Sequence, residues 1–183
     1  MNPEFEIVYT VTDWYDGPRE GTANYRGAPH HYRSVCFDAD GWDADEDRFQ
    51  LTPITEADLA LALEDWAIWR RWEDAFNDGL VSQDSHPALP TDRQRHDELS
   101  ALLAVRLRTN TDISVAAHGE FRPHPVAPGV PFGRPCPLAV RWRLVDIIRL
   151  SSPNGRCSCQ RSMDCAWLRH VLWLDLLAAE RGR

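Results

Sequence analysis

Cys157, Cys159, Cys165 and His170 bring together the thiols and imidazole that most often hold zinc in a tetrahedral site. Their spacing, Cys-x-Cys-x5-Cys-x4-His, is not one of the common structural arrangements, so inert or buried thiols near a helix start are the favoured reading. A second group lies near the start of the chain, where Asp13, Tyr15, Asp16 and Arg19 fall within one short stretch that also holds Trp14. Carboxylates, aromatic rings and a guanidinium in that proximity suit a guanidinium, an ammonium or the edge of a polar ligand. The plainer reading is a turn set by Gly17 and Pro18, with Trp14 and Tyr15 covering the core edge and Arg19 paired locally. A third group, Asp38, Asp40, Asp43, Asp45, Glu46 and Asp47, surrounds Gly41 and Trp42 and offers oxygen ligands to a hard cation. It lacks the full spacing and the terminal glutamate of an EF-hand, which favours a solvated acidic loop or a face for a basic partner.

The histidines add little. His30 and His31 are adjacent, so on a strand they point to opposite faces, and His86, His118 and His124 sit in or near loops without a patterned acid or cysteine neighbour. No nucleophile elbow, phosphate loop, dinucleotide fingerprint or metalloprotease signature is present, and no residue is assigned a catalytic role.

Several elements are needed to position these groups. Phe5, Ile7, Tyr9 and Val11 alternate along a first strand, 5–12, and the chain reverses at Asp16-Gly17-Pro18. Short strands follow near Thr22 to Tyr25, His30 to Phe37 and Phe49 to Ile54. From Thr55 the period becomes helical, with Leu59, Leu63, Trp66, Trp69 and Phe76 on one stripe and Leu61, Ile68 and Trp72 widening it. Thr55 caps this helix, Glu56 and Asp58 suit its positive end, and Gly79 ends it. The tryptophans Trp66, Trp69, Trp72, Trp142, Trp167 and Trp173 are expected to build core, with Trp72 the most exposed of them. Thr91 and Gln94 match a capping box that opens a second helix, 92–108. A strand from Ile113 toward Phe121, a proline-rich connection and a strand from Leu138 to Leu150 follow, the last alternating with Arg141, Arg143 and Arg149. A further helix, about 163–180, is apolar nearly all round.

Charge is divided unevenly: residues 1–100 hold 22 Asp and Glu against 8 Arg, and residues 101–183 hold 6 against 12. An acidic first half argues against nucleic-acid binding, since phosphate neutralisation needs a clustered basic surface, and the late-strand arginines are the exception. All 20 basic residues are arginine, which suits a GC-rich bacterial genome. The first residues lack the basic and apolar regions of a signal peptide, and no apolar run is long enough for a membrane span, so a cytoplasmic location without membrane association is expected. Five cysteines, an odd number, argue for reduced thiols or metal ligands rather than a disulfide framework.

The segment Thr12-Asp13-Trp14-Tyr15-Asp16-Gly17-Pro18-Arg19-Glu20-Gly21, with Ala23, Tyr25, Gly27, Pro29 and His30 after it, resembles a segment of small bacterial proteins of unassigned function. Leu51-Thr52-Pro53-Ile54 and the tryptophan-rich helix are similar too. The resemblance implies a shared fold over residues 5–150 and brings no activity with it.

The fold expected is therefore α+β: about five or six mostly antiparallel strands packed on two amphipathic helices, with a C-terminal helix. Residues 1–150 form the domain and residues 151–183 a cysteine-bearing extension. The leading function is a non-catalytic binding protein, immunity- or adaptor-like, that meets a protein partner, a basic one being the complementary case, through acidic loops and aromatic surface at Asp13, Tyr15, Asp16, Arg19, Asp40, Trp42, Asp43 and Asp45. One alternative is a small hydrolase with a polar-ligand site at Asp13, Asp16, Arg19 and His30. The other is a structural subunit stapled by zinc, the one cofactor considered, at Cys157, Cys159, Cys165 and His170.

Overall fold

A computed structural model describes residues 4–14, 17–35, 48–123 and 138–145. Four strands open the chain, β1 (Glu6–Trp14), β2 (Pro18–Tyr25), β3 (Ala28–Ser34) and β4 (Arg48–Pro53), the last alternating apolar and polar residues most regularly. Helices α1 (Glu56–Asn77) and α2 (Arg93–Arg106) follow, and then β5 (Val115–Pro123) and β6 (Leu138–Leu144). Each strand pairs antiparallel with the next, and β6 returns to β1 through Glu6–Val140 and Ile7–Ala139, which closes the sheet into a barrel.

Closure corrects the expected α+β architecture. The core is not the space between a sheet and two helices but the inside of a six-stranded barrel, and among the described residues there are only two α-helices. A closed sheet buries one side chain in two within itself and leaves no sheet edge to be covered. The expected C-terminal helix, and all of residues 151–183, lie outside the described residues.

Two sets of side chains alternate around the wall. Register places Val11, Gly21, Tyr32, Leu51 and Val115 in one cross-strand row facing inward. Tyr32, Phe49, Phe121 and Trp142 fill the interior, with ring centroids 5.4 to 5.9 Å apart in tilted and edge-to-face contacts. Room for these rings comes from small neighbours. A Cβ on Gly21 would sit 2.1 Å from the Thr10 carbonyl oxygen, and one on Gly119 would sit 2.7 Å from the Trp142 ring. The Trp142 indole N–H donates to the Asn24 carbonyl at 2.8 Å, tying β6 to β2 across the interior.

The alternating row, Thr10, Thr22, His31 and Thr52, faces outward and is nevertheless buried. Its hydroxyls bond to one another: Thr10 and Thr22 at 2.9 Å, and Thr52 to Ser114 at 2.7 Å. α1 lies against β1 and packs on α2. The helix pair has a small apolar centre, Ile68, Ala88 and Leu99, with Leu61 and Leu103 beside it. Polar pairs fill out the interface: Arg95 with Glu64, His96 with Asp65 and Arg71 with Asp92.

Helix α1 begins and ends as its sequence indicates, Thr55 capping through Asp58 N–H and Gly79 taking φ of 71° just beyond the end. Two expectations about the helices fail. Trp72 is 1% exposed, not the most open tryptophan, because its indole N–H donates to Ser85 and His86 packs edge-on against its ring. The Thr91 capping box does not form: α2 begins at Arg93 after Asp92, which makes no side-chain cap and instead accepts from Arg71.

Candidate functional site

In an up-and-down barrel successive connections emerge at opposite ends. The ends of β1 and β2, of β3 and β4, and of β5 and β6 that face each other in sequence therefore share one end of the barrel, while the β2–β3 turn and the strand ends from which the helix pair leaves and returns are at the other. At the first end β4 starts level with His118, the partner of Arg48, so β5 from Gly119 to Pro123 runs on past it, paired with β6. A cavity of about 460 Å³ opens there, lined by Trp14 at the end of β1, by Gly17, by Pro18 and Arg19 at the start of β2 and by Phe49 from β4. Gly119, Glu120, Phe121, Arg122, Pro123, Leu138 and Arg143 complete it from β5 and β6.

Its electrostatics follow from the pairing. Glu120, the one carboxylate among the described residues of the lining, accepts from Arg141 at 2.5 and 3.2 Å, and that hydrogen bond, with the charges of Arg141, Arg143 and Arg122, holds it below the usual carboxylate range. Arg122 lies with its guanidinium 3.5 Å from the centroid of the Phe5 ring. Arg19, Arg122 and Arg143 are the other charged residues of the described lining. Phe49 and Phe121, in contact with Trp142, give it an aromatic floor.

A second polar cluster sits on the outer face of β2 and β3. His31, 4% exposed, meets Glu20 through Nε2 at 3.0 Å, and Arg33 approaches the other Glu20 oxygen at 3.6 Å. Burial works to raise the Glu20 carboxyl, but the His31 hydrogen bond and the charges of His31 and Arg33 outweigh it and keep it below its ordinary value. With Glu20 ionised, Nε2 of His31 is the donor, and its Nδ1 is buried without a hydrogen-bond partner. Burial, with Glu20 and Asp13 adding to it, pushes the Tyr32 phenol well up, so its hydroxyl remains a donor to the Thr10 carbonyl.

The residues singled out from sequence separate in this frame. Arg19 lines the cavity; Asp13 pairs in register with Glu20 and does not. His30 sits opposite Ala23, four residues along β2 from Arg19, or about 13 Å at strand rise. Its Nδ1 meets the Ala28 carbonyl and its ring the edge of Tyr25. His30 is thus not brought together with Asp13 and Arg19, and His31, as expected, takes the opposite face. Tyr15, Asp16, Asp40, Trp42, Asp43, Asp45, Cys157, Cys159, Cys165 and His170 lie outside the described residues. Among the described residues no group of three His, Cys, Asp or Glu side chains is placed to hold a metal ion. No described helix is long and apolar enough to cross a membrane.

Phe49, Phe121, Arg122 and Arg143 were not singled out as ligand-facing. Strand alternation marks them, but only the stagger of β4 against β5 shows that they meet around one cavity. Compared with protein-family models, with curated proteins and with solved structures, the chain matches none.

Proposed function

We propose that this chain is a non-catalytic binding protein, immunity- or adaptor-like in kind, whose binding end is the barrel end that carries the cavity. The observation behind this reading is the convergence there of an aromatic and arginine-lined cavity with the two strand ends, Val35 and Arg48, that bound the acidic stretch 38–47. Rigid strands holding several connections at one end are a common platform for recognition. A basic protein surface is the complementary partner for the six carboxylates between Asp38 and Asp47.

The test is co-purification of the tagged full chain from its native host beside the triple variant Asp40→Asn, Asp43→Asn, Asp45→Asn. The expected result is a basic protein recovered in near-equal amount with the parent chain, released by salt and lost with the variant. Equal recovery with both chains, or no partner with either, overturns the reading.

A further inference from the structure

We propose that the outer face of β5 and β6 is where a second copy of this chain docks, with the acidic stretch 38–47 of that copy laid against the arginines. This rests on reading 38–47 as a stretch that meets a basic surface, and adds that the chain itself carries one.

Strand alternation separates the two sides of the wall. Ala117, Val140 and Trp142 belong to the core, so Glu120 and Arg122 on β5 and Arg141 and Arg143 on β6 face outward. Arg122 and Arg143 therefore stand at the rim of the cavity, on the outside of the barrel. Register sets Arg141 beside Glu120 and Arg122 beside Ala139, which in turn pairs with Ile7 of β1. Glu120 is the one carboxylate on these two strands, and its hydrogen bonds go to Arg141. Arg122 and Arg143 are exposed, and among the described residues neither makes an ion pair. Three guanidiniums to one carboxylate make a local reversal of sign in a chain of net charge −8.

The same face suits a polypeptide better than a bare ion. Two guanidiniums share the Phe5 ring, that of Arg122 at 3.5 Å from its centroid and that of Arg141 at 4.9 Å. Spread on a ring, they present planar forks that match carboxylates. Ile7, 47% exposed, adds apolar surface beside them. Residues 36–47, Cys-Phe-Asp-Ala-Asp-Gly-Trp-Asp-Ala-Asp-Glu-Asp, offer six carboxylates, two aromatic rings and no base.

Each chain thus holds both halves of one match, which is what a two-fold pair uses: each copy lends its stretch to the other's face. Within one copy the stretch joins β3 to β4, whereas Phe5 and Ile7 lie at the start of β1, across the ring of six strands from β4. Reaching them from the same barrel means passing β5 and β6, about 14 Å around the wall at about 4.8 Å per strand. A second barrel meets them face on.

The test is sedimentation velocity of the full chain beside two variants. One reverses the face, Arg122→Glu with Arg143→Glu; the other reverses the stretch, Asp40→Arg with Asp43→Arg and Asp45→Arg. The parent chain is expected to dimerise at about 50 mM salt and to do so at least roughly tenfold more weakly at about 500 mM. Each variant alone sets like charges against like and should stay monomeric, and a one-to-one mixture of the two should associate again. Arg143→Gln, expected to weaken the dimer by roughly threefold, replaces the face variant if that one does not fold. A parent chain still monomeric at concentrations on the order of 100 µM overturns the proposal. So does a dimer that no substitution weakens, or a mixture that fails to associate, the sign of a stretch held within its own copy. A monomer that still retains a basic host partner sinks this proposal alone; a dimer with no host partner sinks the host-partner reading alone.

Discussion

Glu73 holds an acid where water does not reach: its side chain is 4% exposed in the middle of α1, hydrogen-bonded to Arg70 and next to Asp74. Burial lifts its carboxyl from 4.5 to about 7, Arg70 opposing the shift and Asp74 adding to it. The folded state therefore binds this proton more tightly than the unfolded chain. Its contribution to stability is complete below the unfolded value of 4.5 and is lost as pH rises through about 7. Glu73→Gln keeps an acceptor for Arg70 and removes the titration. The parent chain should lose stability relative to this variant between about pH 5 and about pH 8, by an amount on the order of 3 kcal/mol. Paired thermal melts across that interval are the measurement, and a constant difference would contradict the assignment. At the same scale Trp72 shows where sequence patterns stop being informative. Helical periodicity puts it at the edge of the stripe, but the segment from Ser82 to Ala88 folds back on that edge and covers it through Ser85 and His86.

The helix pair was legible as two helices and illegible as an interface. Leu59, Ile68 and Trp72 are buried on α1, but Leu63 is 38% exposed, and on α2 Leu102 and Val105 are exposed while only Leu99 is fully buried. An apolar stripe says that a helix has a partner, not how wide the contact is. Here the contact is narrow, and the ion pairs of Arg95, His96 and Arg71 take up the rest of it. Leu99, 0% exposed at the centre, therefore carries an unusual share of the hairpin's stability. Leu99→Ala should cost about 3 kcal/mol in urea unfolding. Hydrogen exchange should quicken across α1 and α2 more than across β3 and β4. Uniform quickening through the barrel would mean that the helices and barrel open as one unit.

For the molecule as a whole, closure is the property that no local pattern states. Sequence pattern locates most strands: β1, β3, β4 and β6 begin within about two residues of the expected positions, whereas β2 begins at Pro18, well before the expected Thr22. The pairing of Glu6 and Ile7 with Val140 and Ala139 links opposite ends of the described chain, and nothing at either position announces the other. The cavity was hidden for the same reason, since Phe49, Phe121 and Arg143 share it only once the sheet is closed and staggered. Trp142 reports on closure, because its indole bond to Asn24 spans 118 residues of sequence. Trp142→Phe retains a ring in the aromatic cluster but removes the donor, and should destabilise the fold by about 2 kcal/mol. Unfolding followed by denaturant is the measurement, and a loss under about 0.5 kcal/mol would show that the bond adds nothing beyond the ring's own packing.

The Thr52–Ser114 hydrogen bond has a topological meaning beyond its place in the buried polar row. Two residues separated by 61 intervening positions touch at 2.7 Å, with the entire helical hairpin between them. Strands β4 and β5 are thus neighbours in an ordinary antiparallel hairpin into whose turn a second structural unit has been spliced. The chain leaves the barrel and re-enters it at one spot, so the spliced unit can lengthen, shorten or be exchanged without altering the order of the six strands. The helical unit's two points of attachment and the cavity therefore lie at opposite ends of the β4–β5 pair, so a change of length in one need not shift the strand ends at the other.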